Sequence, residues 1–70
     1  MRAKQSPGSL TFDELGTFLA RSNWMFDRQK GSHRIWISPK NRVVSIQPDG
    51  KMAKSYQVIQ ILRIMESENG

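Results

Sequence analysis

Seventy residues without a cysteine make one small domain with no disulfide, no thiolate site and no room for a deep cleft around a bulky cofactor. One histidine and scattered carboxylates offer no tetrahedral zinc cluster, so neither metal nor cofactor is expected, and the apolar runs fall far short of the roughly 20 residues of a membrane helix. The net charge is +5 and is concentrated, with seven cations and a single acid, Asp49, between Arg28 and Lys54; such a region attracts polyanions by steering and counterion release, with a merely solvated surface or an acidic protein partner as the other readings.

Residues 1–9 read as a flexible lead-in, with turn chemistry at Ser6-Pro7-Gly8-Ser9. Two cations there have no apolar stretch behind them, so no secretory signal is expected and a cytoplasmic location is the default. Thr11-Phe12-Asp13-Glu14 matches a capping box. Phe12, Leu15, Phe18 and Leu19 then recur on one helical face. Gly16 weakens that helix by about 1 kcal/mol relative to alanine, so packing must hold it. The helix should end near Ser22-Asn23.

Trp24 to Gln29 is the first strand, with Trp24, Phe26 and Arg28 on one side, Met25 and Asp27 on the other, and Trp24 and Phe26 assigned to the core. Gln29-Lys30-Gly31-Ser32 makes a hairpin turn. The second strand runs from His33 to Ser38, bounded by Pro39, and the third from Arg42 to Gln47, where Val43-Val44 fits β-branched preference. Pro48-Asp49-Gly50 turns the chain into a basic loop, Lys51 to Lys54. Ser55 can cap the last helix, whose stripe is Val58, Ile59, Leu62 and Met65, widened by Ile61 and Tyr56. Residues 67–70 should fray. The fold class is α+β: an α-β-β-β-α domain over residues 10–66, its three-stranded antiparallel sheet covered on one face by two helices.

The stretch with most chemistry is Lys30-Gly31-Ser32-His33-Arg34-Ile35-Trp36-Ile37. An imidazole on a rigid strand among cations is equipped to move a proton beside a phosphate. RNA suits it, because the 2′-hydroxyl is an internal nucleophile next to its own phosphate and needs only proton transfer and charge stabilisation. Alternation puts His33, Ile35 and Ile37 on one side and Arg34, Trp36 and Ser38 on the other. The isoleucines are expected under the helices, with His33 at the rim, and Lys51, Lys54 and Tyr56 gathered near it. Lys30, Arg34, Lys51 and Lys54 would position phosphates, with Gly31 and Ser32 beside them in the turn. The plainer reading of His33 is a surface histidine bonded to a turn carbonyl, and of Gly31 and Ser32 simple turn residues. Trp36, expected on the open face, reads as a protein anchor, as cross-strand packing, or as a stacking platform for a base.

Three segments, Lys30-Gly31-Ser32-His33, Val44-Ser45-Ile46-Gln47-Pro48 and Gly50-Lys51-Met52-Ala53-Lys54-Ser55-Tyr56-Gln57-Val58, make the chain resemble HicA-type toxins from about Leu10 to Glu66. The resemblance implies a fold like the double-stranded-RNA-binding domain. It implies metal-free endonucleolytic cleavage of single-stranded or messenger RNA, with the strand-two histidine as the catalytic residue. Many relatives carry a second histidine where this chain has Arg34, so that role carries over to His33 alone. A HicB-type antitoxin is also implied, covering the histidine and the basic surface. Trp36, His33 and Arg34 are the residues expected to meet it. The alternative is a non-catalytic RNA-binding module of the same fold.

Overall fold

The computed structural model describes residues 10–69; the lead-in at 1–9 and Gly70 lie outside the described residues. Helix α1 spans Phe12–Arg21. The capping box is present: Thr11 Oγ1 accepts from the Glu14 amide at 3.0 Å, and Glu14 Oε1 accepts from the Thr11 amide at 2.9 Å. Ser22 closes the helix and Asn23 turns away at φ 68°. Strands β1 (Met25–Lys30), β2 (His33–Ile37) and β3 (Val43–Ile46) form an antiparallel sheet in the order β1-β2-β3. Helix α2 spans Ser55–Asn69.

The expected basic loop has structure of its own. Two-residue strands β4 (Pro48–Asp49) and β5 (Met52–Ala53) pair antiparallel around Gly50-Lys51. This small hairpin is strapped to the start of α1. The Phe12 amide donates to the Lys51 carbonyl and the Ala53 amide to the Leu10 carbonyl, both at 2.9 Å. A first-turn amide that has no partner within its own helix is satisfied this way.

The core is built from Phe12, Leu15 and Leu19 of α1, Trp36, Val44 and Ile46 of the sheet, and Val58 and Ile61 of α2, with Trp24 and Ala53 at its margins. Both helices thus cover the same face of the sheet. Gln57 is buried among them, and its Oε1 accepts from the Gln47 amide at 3.0 Å, fastening α2 to the end of β3. Ile59 and Tyr56, assigned to the apolar stripe, are exposed. Ser55 is the first helical residue, and the Lys54 carbonyl accepts from the Gln57 and Val58 amides. The helix runs through residue 67 to Asn69, and Glu68 accepts from the Ser38 hydroxyl at 2.6 Å.

The orientation of the sheet corrects the sequence reading. Trp36 is 7% exposed and lies under the helices, so it is neither an exposed stacking platform nor an available antitoxin contact. Tryptophan has more apolar surface to bury than either neighbouring isoleucine. Its polar companions on that face find partners there. Ser38 is tied to Glu68, and the Arg34 guanidinium lies 4.8 Å from the centroid of the Phe12 ring. Ile35 and Ile37 therefore belong to the opposite, open face.

β1 departs from plain alternation as well. Phe26 pairs with Trp36 and Arg28 with Ile35, so Asp27 is the extra residue of a β-bulge. Phe26 stays on the helix side, edge to face with Trp36 at 5.5 Å, yet 47% of it is exposed. Arg28 crosses to the open face, separating the two residues that strict alternation puts together.

Candidate active site

The β1–β2 turn is built from Gly31 and Ser32, with Lys30 and His33 as the closing pair. Gly31 has φ +62° and Ser32 has no positive φ, the pattern of a two-residue type II′ hairpin. The β4–β5 turn repeats it: Gly50 also has φ +62°, followed by Lys51. A Cβ on either glycine would meet nothing within 4 Å. Backbone conformation, not space, is what requires glycine at both places.

Between these tips lies an open groove of about 580 Å³. Its floor and walls include Phe12, Asp13 and Gln29 with Ser32, Arg34, Gly50 and Lys51. Gln29 Nε2 donates to the Gly31 carbonyl at 3.1 Å and steadies the turn. Arg34 is held over Phe12, with its guanidinium 3.8 Å from Asp13 Oδ1. Asp13 is almost fully exposed, so this ion pair orients more than it stabilises. The α1 residues of this wall were missed in the sequence, because only the folded chain brings segments so far apart together; Gln29, read as a turn residue, joins the wall through its pairing with Arg34.

The predicted cluster divides between two faces. His33 is exposed at the start of β2, on the open face, directly across the strand pair from exposed Lys30. Directly paired side chains on one face have Cβ atoms about 4.5–5.5 Å apart. Arg34, one residue on, points to the other face and into the groove with Ser32 and Lys51. The hairpin tip is thus a ridge with imidazole and ammonium on one flank and guanidinium and a second ammonium on the other. Lys54 is half-buried just before α2. Tyr56 does not join this groove; it lines a separate one with Arg42, Ile59 and Arg63.

Among the described residues, no three His, Cys, Asp or Glu side chains assemble as a metal-binding group, and no helix is long and apolar enough to cross a membrane. The arrangement offers one imidazole, several fixed cations and a shallow, open approach. That combination suits a polyanionic strand better than a small enclosed substrate. Comparison with curated proteins and with solved structures found no match. The family model described as HicA toxin of bacterial toxin–antitoxin matches residues 12–66. Because that span takes in α1, all five strands and most of α2, the chain belongs to the HicA toxin family.

Proposed function

We propose that this toxin is an endoribonuclease that cleaves messenger RNA in the cytoplasm without a metal ion, and that a HicB-type antitoxin neutralises it. The observation that carries the reading is an exposed His33 facing Lys30 at a hairpin tip whose other flank is also cationic. In this scheme His33 takes the proton from a 2′-hydroxyl, and the 2′-oxygen attacks the adjacent phosphorus. The bond to the 5′-oxygen breaks, leaving a 2′,3′-cyclic phosphate and a 5′-hydroxyl, the leaving oxygen taking its proton from solvent or an ammonium group. Lys30 lies where it meets negative charge growing on the phosphoryl oxygens. Arg34, Lys51 and Lys54 hold flanking phosphates, while Gly31 and Ser32 let the backbone approach closely.

One imidazole serving one proton transfer is worth about 10²–10⁴-fold in rate, so turnover is slow. The test is His33→Ala assayed on single-stranded RNA in EDTA. Cleavage should be lost, with RNA affinity and melting temperature unchanged. An engaged site neutralising about 3–5 phosphates gives a log–log salt slope of about −2 to −3.5 on single strands. Cleavage by His33→Ala at the parental rate refutes the catalytic assignment. A mobility shift without any cleavage by the parent chain favours a non-catalytic RNA-binding module.

A further inference from the structure

Helix α2 lies back along β3 and is tied at both ends. Near its start the Gln57 side chain accepts from the Gln47 amide, just past β3, and near its end Glu68 accepts from the Ser38 hydroxyl, ahead of β3. Between these ties runs an open groove of about 400 Å³, lined by Arg42 and by Tyr56, Ile59, Gln60, Arg63 and Ile64 of α2. Ile46, the last residue of β3, pairs with Arg34, the neighbour of His33. The Tyr56 end of the groove therefore shares one end of the sheet with the β1–β2 hairpin tip, and the Arg42 end lies toward the other.

Tyr56, Gln60 and Arg63 stand at i, i+4 and i+7 on one helical face. Tyr56 is 62% exposed, and its ring meets no other aromatic ring among the described residues. Arg63 is exposed and makes no ion pair among them, whereas Arg28, Arg34 and Arg42 each face a carboxylate. No acidic side chain lines the groove. An open ring and an unneutralised guanidinium thus lie about 10 Å apart along the helix axis.

We infer that the RNA strand continues from the hairpin tip into this groove, where an unpaired base stacks on Tyr56 and a phosphate meets Arg63. The inference rests on the ribonuclease reading and adds where the substrate runs beyond the scissile bond. Every base offers a π-face to a free ring, and every phosphate a charge to a free guanidinium, so the contact is sequence-tolerant. A duplex keeps its bases paired and stacked, so the groove selects a single strand. Lys51, beside the hairpin, and Lys54, just before α2, supply charge between the two places. Arg42 is engaged by Glu68 at 3.8 Å, which leaves Arg63 as the principal phosphate contact. The stacking role expected of Trp36 passes to Tyr56.

The test titrates the full chain with a fluorescent 2′-O-methyl RNA of about 12 nucleotides, within the site sizes of single-strand binders. Such a strand lacks the internal nucleophile, so binding is read without cleavage. Tyr56→Ala should raise Kd about fivefold or more, and Tyr56→Phe, which keeps the ring, should stay within about twofold of the parent. Arg63→Gln should make the log–log salt slope shallower by about 0.7. Both side chains are exposed, so melting temperatures should stay near parental; if Tyr56→Ala loosens α2, the slope of Arg63→Gln still reads the site. A parental Kd for Tyr56→Ala together with a parental slope for Arg63→Gln overturns the inference. So does an equal loss in Tyr56→Phe and Tyr56→Ala, which would make the hydroxyl the contact and not the ring. So does a weakened complex with a HicB-type antitoxin at unchanged RNA affinity, which would make a protein the occupant. A parent chain that binds through Tyr56 and Arg63 but never cuts RNA overturns the ribonuclease reading alone. A parent chain that cuts RNA while all three variants bind as it does overturns this inference alone.

Discussion

Trp36→Ala separates a core tryptophan from an interface anchor. The side chain packs beneath both helices, edge to face with Phe26, and its ring carbon Cζ2 lies 3.8 Å from the point where a Cβ on Gly16 would sit. A tryptophan buries about 150–250 Å², which at about 25 cal/mol per Å² is about 4–6 kcal/mol of transfer free energy. Truncation to alanine in a core costs about 3–5 kcal/mol. A 70-residue domain has about 4–10 kcal/mol in total, so the variant should lose from about a third to all of its stability. Urea denaturation followed by circular dichroism reads this directly. Trp36→Phe keeps an aromatic ring against Phe26 and removes an indole N–H that is buried without a hydrogen-bond partner. It should lose less than half as much. A midpoint for Trp36→Ala that implies less than about 1 kcal/mol of lost stability would refute the burial argument and return the residue to the surface.

Two further stability predictions follow from local geometry. Gly31→Ala and Gly50→Ala should each lose about 1–2 kcal/mol, because φ +62° penalises any Cβ, whereas Gly16→Ala, at ordinary contact distance from Trp36, should gain about 0.5–1 kcal/mol from helix propensity; chemical denaturation of the three variants checks the opposite signs. Gln57→Leu leaves the Gln47 amide without its acceptor and should cost about 1–3 kcal/mol, with faster hydrogen exchange at that amide as its local signature.

Signals contained within a few residues were readable from the sequence, and those set by distant packing were not. Thr11 and Glu14 cap α1 as their spacing says, and Gly31 turns the chain where the strand pattern breaks. β2 was harder because both of its faces carry apolar residues. Ile35 and Ile37 outnumber Trp36, and only the partners Val44, Phe12 and Glu68 decide which side is covered. The bulge at Asp27 has no local signature, yet it moves Arg28 to the other face. For the candidate site, alternation correctly separated His33 from Arg34 but assigned each to the wrong side. The groove wall contributed by α1 depends on the strap from Phe12 to Lys51, a contact between segments about forty residues apart that no window reveals.

The bulge in β1 bears on what the border of the sheet offers to a second strand. β1 is an outer strand, and every residue of it is exposed. A flat outer strand bearing exposed Met25 and Phe26 invites edge-to-edge pairing. Asp27 interrupts the ladder, while Asp27, Arg28 and Lys30 leave charge along the border. At the other border, β3 offers only four residues, too few for extended strand addition. Irregularity and charge at one border and shortness at the other both disfavour the addition of a further strand.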